Sequence, residues 1–579
     1  MQNSDSKNTE ILNARPASPG IVIGKAWVLP SEKIIIRPGK IKPDETDFNI
    51  AKTEKGFRDT EQKLRELKSQ HMNNTYRDIA ETQIQILSDP ELKSQIKSRI
   101  TEQNFGAVYS VFSSFNDYIQ LLETSGVPLM QERSIDVVSL RDMVIQAIEN
   151  KSDNLSVPDG AVVFAHEISP TQMFELSKFR IGGIVLQKGG LTSHAVILAQ
   201  SLGIPCVVGA LWSALPVSSD KTIALDAYTG EVFINPEKEN IAEFQKRIEI
   251  HEKGVIEAGK WVEKENKTQC GTTFTLRGNI EFLEELPRLA PNGAMGVGLL
   301  RTEALFLKSK DFDVKAQMDF YGSILKATGS DPVTIRLFDA GGDKLFGAEI
   351  QEDNPFLGWR GVRMLLDKPD LLERQLEAIL RISGSYPGKI RILIPMVSTL
   401  EEISLVKDHL AKVQKQLRKE GDNVDENIPL GIMIEVPSMC VLADAAAKMV
   451  DFFSIGTNDL TQYTLAVDRG NERISGLFQN DHPAVWRLMH MSIRAAESNG
   501  IPVAVCGEMA GRPEYAALLL GMGVSEFSMN PASVPFVKSL LCKQTIDELK
   551  ASSGKLLECS TAEQVRVILN KLSAETIGR

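Results

Sequence analysis

Polar side chains recur at the ends of apolar, strand-like runs in the second half of the chain. The chemistry-bearing residues at these places are Arg301, Thr302, Glu303, Arg336, Asp339, Asp343, Lys344, Glu435, Asn458, Asp459, Cys506 and Glu508. In a barrel the carboxyl ends of the strands meet on one face, where active sites lie, so we expect these side chains to converge. A structural salt-bridge network accounts for any one of them, but their recurrence on most of the strands favours an active site.

The residue types predict the ligand of this site. The cations that bear on it are Arg301, Arg336, Arg360, Lys344 and Arg469. They indicate a multiply anionic ligand, because arginine binds carboxylate and phosphate groups through two hydrogen bonds. Glu435 and Asp459 follow different strands and are hard oxygen ligands that suit Mg²⁺, which also takes water and substrate phosphate oxygens. The sequence therefore predicts phosphoryl transfer involving a small phosphorylated acid.

Two further features bear on the reaction. Cys506 ends an apolar run and is either a buried strand-end thiol or a proton donor held over the ligand; spacing alone leaves both interpretations open. The pattern G-x-x-x-x-G-K-[ST] is absent from the sequence, so no P-loop nucleotide site is predicted.

His194 is the candidate nucleophile of the first half of the chain. It follows an apolar, strand-like run (181–186) and a glycine turn, in the sequence Gly189-Gly190-Leu191-Thr192-Ser193-His194-Ala195, and a helix is predicted to begin around it. Glycine backbone and a helix N-terminus favour a bound anion, so a neutral imidazole there is suited to accept a phosphoryl group. The alternative is an incidental histidine on a helix capped by Thr192 or Ser193.

The elements of the second half must place these residues together. Strand-like runs alternate with helical segments from 263 to 579 and occupy residues 274–278, 296–300, 333–338, 390–395, 430–435, 452–456 and 503–506. A weaker eighth run lies near 360–366. About 320 residues of βα units predict a (β/α)8 TIM barrel, with an open doubly wound sheet as the runner-up.

The first half of the chain contains two kinds of sequence pattern. A turn and a strand at 14–30 precede a stretch whose apolar residues recur at helical spacing, from about 43 to 150, and short strands and helices follow from about 157. This order predicts an α/β domain with an inserted helical bundle. Residues 1–12 are polar and predicted to be disordered, and residues 236–262 are charged and predicted to form a linker helix.

Composition limits the class of protein. The chain has 579 residues, a net charge of −11 and six scattered cysteines without a CxxC pair. Its charge argues against non-specific binding to nucleic acid, and its cysteines favour free thiols in a reducing cytoplasm. The sequence shows neither a signal peptide nor an apolar run long enough to span a bilayer, so we expect a cytoplasmic protein without membrane insertion.

With these residues in view, the sequence resembles Enzyme I of the bacterial phosphotransferase system, the phosphoenolpyruvate–protein phosphotransferases, over nearly its whole length. The segments that carry the resemblance are Gly298–Glu303, Gly341–Lys344, Asn354–Gly361, Phe452–Asn471 and Cys506–Glu508. The resemblance implies that phosphoenolpyruvate and Mg²⁺ bind in the barrel. The implied metal ligands are Glu435 and Asp459, and the implied ligands of phosphate and carboxylate are Arg301, Arg336, Arg360, Asn458 and Arg469, with Lys344 among the substrate-binding cations.

The resemblance also implies the course of the reaction and the roles of the domains. Cys506 would protonate the enolate to give pyruvate, and His194 would accept the phosphoryl group on Nε2 and pass it to a histidine of the carrier HPr. The implied domains are a phosphohistidine α/β domain (13–42 and 144–235), a helical HPr-binding subdomain (43–143), a linker helix (236–262) and a phosphoenolpyruvate-binding TIM barrel that forms a homodimer (263–579).

Departures from the family pattern concentrate near the histidine. Leu191 and Gln200 stand where arginines are usual, and Met173 stands where a threonine is usual. Val138 and Ser139 replace an Arg-Asp pair, although Arg133 and Arg141 remain nearby in the sequence. Each lost charged hydrogen bond is worth about 1–3 kcal/mol, so phosphate stabilisation at His194 is expected to be weaker.

Two other functions stay open at this point. A dikinase or phosphoenolpyruvate synthase shares both groups of motifs, but the residues before His194 leave no length for its nucleotide-binding domain. A phosphoenolpyruvate-sensing regulatory paralogue with weakened carrier transfer fits the departures near His194, whereas the barrel motifs oppose full loss of activity.

Overall fold

The computed structural model describes residues 9–29, 36–70, 74–123, 128–149, 156–188, 194–215, 217–219, 221–303, 305, 313–339, 352, 354–468 and 474–576. The chain divides into two compact units, Met1–Ile250 and His251–Arg579.

The first unit contains an eight-stranded sheet. Its strands are β1 (Glu10–Asn13), β2 (Arg15–Ser18), β3 (Ile21–Val28), β4 (Val162–Ala165), β5 (Gly183–Leu186), β6 (Cys206–Val208), β7 (Thr222–Asp226) and β8 (Glu231–Ile234). Their order is β1-β8-β7-β3-β4-β5-β6-β2, and β3, β4, β5 and β6 are parallel to one another. β4 and β5 are buried along their whole length, which explains their unbroken apolar sequences.

Five long helices lie between β3 and β4 in the sequence. They are α1 (Thr46–Gln70), α2 (Asn74–Ser88), α3 (Pro90–Thr101), α4 (Ala107–Glu123) and α5 (Pro128–Glu149). They enclose an apolar core of their own, whose members include Phe57, Leu64, Phe115, Leu140 and Val144. The predicted α/β domain with an inserted helical bundle is therefore confirmed.

Three helices complete the first unit and lead out of it. They are α6 (Pro170–Ser177), α7 (His194–Leu202) and α8 (Lys238–Gly259). α8 occupies most of the segment 236–262 that was expected to be a linker helix, and it crosses the boundary between the two units.

The disorder expected for residues 1–12 does not hold at the end of that segment. Residues 10–13 form β1, which pairs antiparallel with β8, Glu10 opposite Ile234. The sequence does not predict this strand, because only Ile11 and Leu12 are apolar within a polar segment. Residues 1–8 lie outside the described part of the chain.

The second unit is a closed barrel of eight parallel strands. They are β9 (Thr275–Ile280), β10 (Val297–Leu300), β11 (Val333–Arg336), β12 (Ile390–Ile394), β13 (Leu430–Ile434), β14 (Phe452–Ile455), β15 (Val503–Val505) and β16 (Glu526–Met529). They follow one another in chain order and close by pairing of β16 with β9. The predicted TIM barrel is confirmed, and the open doubly wound sheet is excluded.

Helices surround the barrel. They are α9 (Val314–Ala327), α10 (Val362–Asp367), α11 (Pro369–Ser383), α12 (Leu400–Glu420), α13 (Pro437–Val441), α14 (Ala443–Ala446), α15 (Thr457–Leu465), α16 (Pro483–Asn499), α17 (Pro513–Met522), α18 (Val534–Cys542), α19 (Ile546–Glu558) and α20 (Ala562–Thr576). No helix among the described residues combines the length and the apolar character needed to cross a membrane.

The eighth strand predicted near 360–366 is wrong. Residues 362–367 form α10, which begins after Gly361, a residue with φ of +58°. The eighth strand is β16, whose apolar Phe527 and Met529 alternate with Glu526 and Ser528. So short an alternating run does not stand out in the sequence, whereas α10, in which four of the six residues are apolar, resembles a short buried strand.

Candidate active site

The carboxyl ends of β10 to β15 carry most of the residues selected from the sequence. Arg336 is the last residue of β11, and Arg301, Glu435 and Cys506 each follow directly on a strand. Asp459 is the third residue of α15, the helix that follows β14. The parallel barrel therefore explains why residues far apart in sequence occupy one end of it.

Asp339 joins two arginines. Arg336 Nη1 lies 3.1 Å from Asp339 Oδ2, and Arg360 donates through Nε and Nη2 to the two oxygens of the same carboxylate, at 3.0 and 2.8 Å. Burial alone would raise the pKa of Asp339, but the charges of Arg360 and Arg336 outweigh it and hold this pKa below its usual value. The two guanidinium groups are consequently held side by side around one anion.

Two further carboxylates, of Glu303 and Asp459, lie next to the arginine pair. Arg336 Nη2 donates to Glu303 Oε1 at 2.8 Å, and the same oxygen accepts a hydrogen bond from the backbone N–H of Asp339 at 3.0 Å. Arg360 Nη1 lies 3.9 Å from Asp459 Oδ1. Arg336 and Arg360 thus lie between carboxylates of the barrel end, with less than a tenth of their surface exposed.

Gly361 shapes the turn that delivers Arg360. Its φ of +58° belongs to the left-handed region, where side chains are disfavoured. A Cβ at this position would lie 2.8 Å from Met396 Cβ and 3.1 Å from Asp339 Oδ1. The glycine therefore allows the chain to pass close enough to Asp339 for its neighbour Arg360 to form the bidentate pair.

Glu435 and Asp459 form the second group of the site. Glu435 Oε1 accepts a hydrogen bond from the backbone N–H of Met396 at 2.6 Å, while Oε2 is buried without a hydrogen-bond partner among the described residues. Burial, together with the negative charges of Asp459 and Asp339, raises the pKa of Glu435 to about 8. Two crowded, desolvated carboxylates are the environment that a divalent cation relieves.

This pair is compatible with Mg²⁺ as the sequence predicted. Within the described ranges, no group of three or more histidine, cysteine, aspartate or glutamate side chains is arranged to hold a metal. Mg²⁺ does not require such a cage, because it is commonly held by one or two carboxylates plus water and substrate phosphate oxygens. The residues present therefore fit the ion.

Cys506 is a buried neutral thiol. It is 2% exposed and packs inside the barrel with Leu299, Leu393, Met433 and Phe452. Burial raises the pKa of its thiol to about 11. The group is therefore protonated at neutral pH, which is compatible both with a proton donor and with a buried strand-end thiol.

The remaining predicted residues at this end are more exposed. Asn458 Nδ2 donates to Glu508 Oε1, and Asn458 Oδ1 accepts from the backbone N–H of Glu508, both at 3.2 Å. Arg301 Nη1 lies 3.8 Å from Glu281 Oε2, and the Arg301 side chain is 44% exposed. Both residues are thus at the barrel mouth, in reach of solvent and of a ligand.

Some of the residues named from the sequence cannot be placed in the same way. Those that lie outside the described residues are Leu191, Thr192, Ser193, Asp343, Lys344 and Arg469. His194 is the first residue of α7, in the first unit, but the position of its side chain is not among the described features. Its helical start agrees with the helix predicted around it.

The positions that depart from the family pattern make structural contacts. Met173 is fully buried in the apolar core that also contains Val196 and Leu198 of α7. Gln200 Nε2 donates to the backbone oxygen of Ala17 at 2.7 Å. Arg141, which remains from the pattern, donates to Asn116 and Asp142 at 2.6 and 2.8 Å.

The Ser139 side chain also contacts Ser169, the residue at the N-terminus of α6. Its hydroxyl lies 3.1 Å from that of Ser169, which caps α6 by accepting from the backbone N–H of Gln172. The side chain therefore has a packing role at the point where the helical insert meets the α/β domain of the first unit.

Some contacts that shape the site are not visible in the sequence. Asp339 was visible at the end of a strand, but its two arginine partners come from different parts of the chain. Tyr463 donates to the backbone oxygen of Phe356 at 2.5 Å and lies 3.5 Å from Arg360 Nη1. It sits in mid-helix, where no strand end marks it.

Most of the chain is similar to known protein families. Residues 256–546 match the family described as PEP-utilising enzyme, PEP-binding domain; residues 13–133 match PEP-utilising enzyme, N-terminal; and residues 157–230 match PEP-utilising enzyme, mobile domain. A solution NMR structure of an Enzyme I protein covers 42% of this chain and 99% of its own, with 28% identity and a TM-score of 0.36.

Curated relatives match over nearly their full length. The phosphoenolpyruvate-protein phosphotransferase of Staphylococcus carnosus is 36% identical over 557 residues, which are 95% of this chain and 96% of the relative. The protein of the same name from Buchnera aphidicola is 35% identical over 572 residues, which are 96% of this chain and 98% of the relative. The chain therefore belongs to the phosphoenolpyruvate–protein phosphotransferase family.

Proposed function

We propose that the chain transfers the phosphoryl group of phosphoenolpyruvate to His194, releases pyruvate, and then passes the group to a histidine of the carrier protein HPr. The observation that carries the proposal is the barrel end itself, where an arginine pair around Asp339, a carboxylate pair and a neutral thiol occur together. Each group matches one requirement of the reaction: anion binding, charge neutralisation and proton supply.

The cations bind the substrate. Arg336 and Arg360 present adjacent guanidinium groups that suit the phosphate of phosphoenolpyruvate. Arg301 and Asn458 at the barrel mouth, together with Lys344 and Arg469, complete the proposed set for phosphate and carboxylate. Fixing these groups before the reaction supplies most of the catalysis in phosphoryl transfer.

Glu435 and Asp459 would hold Mg²⁺. The ion, when bound, neutralises charge on the phosphate oxygens and so makes the phosphorus easier to attack. The protein contributes two desolvated carboxylates, Glu435 directly after β13 and Asp459 in the first turn of α15, with Met396 N–H orienting Glu435.

Cys506 would protonate the pyruvate enolate that leaves when the phosphoryl group is transferred. Nε2 of His194 attacks phosphorus, the bond from phosphorus to the enol oxygen breaks, and its electrons remain on the pyruvate enolate. The Cys506 thiol gives its proton to C3 of the enolate, so that pyruvate forms, and the resulting thiolate regains a proton from water. A thiol whose pKa is about 11 holds this proton until the enolate forms.

The domains take the proposed roles in delivery. The helical insert receives HPr, the residues around α7 carry the phosphohistidine, α8 links the units, and the barrel forms the homodimer. Whether the phosphate then serves sugar transport or regulation depends on the partners of HPr.

A phosphoenolpyruvate-sensing paralogue with weakened carrier transfer is the second candidate. It is favoured by the contacts of Met173, Gln200 and Arg141, which engage these side chains in packing and in hydrogen bonds within the first unit. This candidate predicts that phosphoenolpyruvate binds but that transfer to HPr is slow.

Pyruvate release in the presence of Mg²⁺ and the organism's HPr tests the proposal. The wild type is expected to turn over many equivalents, and Arg360→Ala to lose at least about 100-fold in kcat/KM, because a buried charged pair is removed from the binding site. Arg418→Ala, at an exposed ion pair on α12, is the matched control and should change nothing. Binding of phosphoenolpyruvate by a wild type that releases pyruvate no faster than Arg360→Ala would support the second candidate.

A further inference from the structure

A chain of buried polar groups lies behind the site and joins the outer helices to β10 and β11. Gln375, in α11, is fully buried. Its Oε1 accepts a hydrogen bond from the backbone N–H of Phe338 at 2.9 Å, and its Nε2 donates to Thr302 Oγ1 at 3.4 Å and to Tyr321 OH at 3.3 Å. Thr302 Oγ1 in turn donates to the backbone oxygen of Arg336 at 3.1 Å. One amide therefore bridges the ends of two neighbouring strands.

The two bridged segments carry substrate-binding groups. Residues 301–303 follow β10, and residues 336–339 end and follow β11. Glu303 ties them together through Arg336 Nη2 and the backbone N–H of Asp339. Gln375 ties them together a second time, from helix α11. Two independent connections thus hold the segment that carries Arg301 against the segment that carries Arg336.

The position of Gln375 in this chain of bonds distinguishes it from a space-filling core residue. Each hydrogen bond given for its side chain goes to a residue of a binding segment, Phe338 or Thr302, or to Tyr321 of the neighbouring helix α9. An apolar residue of the same length would fill the volume, but it would remove the acceptor of the Phe338 N–H and the donor to Thr302 Oγ1, so that α11 no longer joined the two strand ends. The strand ends would then relax, and the arginines would no longer be held for a ligand.

We propose that Gln375 is a positioning residue for phosphoenolpyruvate binding, which acts through Thr302 and the backbone of residues 336–338 to set the spacing of Arg301 and Arg336. The proposal rests on the proposed function, since it assigns the ligand of these arginines as phosphoenolpyruvate. Gln375 touches neither the ligand nor the reacting atoms, so its effect falls on substrate binding rather than on the chemical step.

Steady-state kinetics of Gln375→Met and Thr302→Val in the full-length protein tests this inference. We expect each variant to raise KM for phosphoenolpyruvate by about tenfold, with kcat and KM for HPr within about twofold of wild type. The double variant should raise KM no further than either single variant, because both break the same chain of bonds. Thr302→Ser keeps the hydroxyl and should behave as wild type.

Ser383→Ala is the matched control. Ser383 is the last residue of the same helix and is equally buried, and its hydroxyl donates to Leu380 O at 2.7 Å and accepts from the N–H of Asp425 at 2.9 Å. Its loss should lower the melting temperature without changing KM for phosphoenolpyruvate. A common fall in melting temperature, with KM unchanged in the Gln375 and Thr302 variants, would reduce Gln375 to a structural residue and overturn the inference.

Calorimetric titration with phosphoenolpyruvate separates this result from failure of the proposed function. If the wild type binds phosphoenolpyruvate but does not turn it over, the proposed function fails, and the inference still requires about a tenfold weaker Kd in both variants. If Kd is the same in wild type and variants, the inference fails whatever the turnover.

Discussion

At the scale of single residues, Asp339 determines whether two cations can be neighbours in a buried site. Its carboxylate takes one hydrogen bond on each oxygen from Arg360 and pairs with Arg336. Without this anion the guanidinium groups would face each other across a region of low dielectric constant, where like charges repel strongly. A phosphate ligand then adds to an arrangement that the protein has already neutralised in part.

Asp339→Asn is expected to weaken phosphoenolpyruvate binding. The amide cannot balance two guanidinium charges, so we expect a loss of about 2–3 kcal/mol, or about 30- to 150-fold in Kd measured by calorimetry. Asp481→Asn is the control, since Asp481 is also buried and pairs with Arg566 away from this site. Equal affinity in wild type and Asp339→Asn would show that the arginines hold their positions without the carboxylate.

A candidate site residue can be recognised in the sequence when it lies at the end of a predicted strand. Arg336, Glu435 and Cys506 end or directly follow apolar strands, so their convergence could be predicted from the barrel alone. Gln375 and Tyr463 lie within helices, and their importance depends on which atoms they meet. Only the structure shows such contacts. Helical periodicity predicts that a residue is buried, but it does not predict which groups its side chain will bond to.

At the scale of elements, β16 is joined to other strands of the barrel by ion pairs as well as by backbone hydrogen bonds. Glu526, its first residue, pairs with Arg277 of β9, at 2.9 Å, and with Arg391 of β12, at 2.5 Å. The strand was missed in the sequence because its two polar residues interrupt the apolar run. The same polarity gives it a function in the structure, since one carboxylate connects three strands inside the barrel.

Glu526→Gln is expected to destabilise the protein by about 3 kcal/mol at pH 7, because it leaves two arginines without their buried anion. Burial would raise the pKa of Glu526, but Arg391 and Arg277 lower it below its usual value. A lowered pKa stabilises the fold above the unfolded-state pKa of about 4.3, and this contribution disappears as pH falls through the folded-state pKa.

Urea unfolding at several pH values measures this effect. The difference between wild type and Glu526→Gln should be largest near neutral pH and should shrink below pH ~4. Glu497→Gln removes an exposed ion pair with Arg494 and should change stability by less than about 0.5 kcal/mol. A difference between wild type and Glu526→Gln that grows as the pH falls would contradict the assigned direction of the pKa shift.

At the scale of the whole molecule, the proposed donor site and the proposed acceptor belong to different units. The arginine and carboxylate groups lie at the end of the barrel, in the unit His251–Arg579, and His194 begins α7 in the unit Met1–Ile250. Transfer requires Nε2 of His194 to come within bonding distance of phosphorus. We expect α8, which crosses the boundary between the units, to be the element that permits this approach.

The fold of both units followed from the sequence because each has a strong local pattern. Continuous apolar runs at regular intervals predict a parallel barrel, and a helical block between strands predicts an insertion. The relation between the units is a different matter, since no local pattern encodes which surfaces meet during the reaction.

Phosphorylation of His194 tests the central claim most directly. The protein is incubated with Mg²⁺ and phosphoenolpyruvate carrying labelled phosphate, and the labelled residue is identified by mass spectrometry under alkaline conditions that preserve phosphohistidine. We predict one label per chain on His194 in the wild type and none in His194→Ala. Label on another residue, undiminished label in His194→Ala, or an unlabelled wild type that binds phosphoenolpyruvate would contradict it.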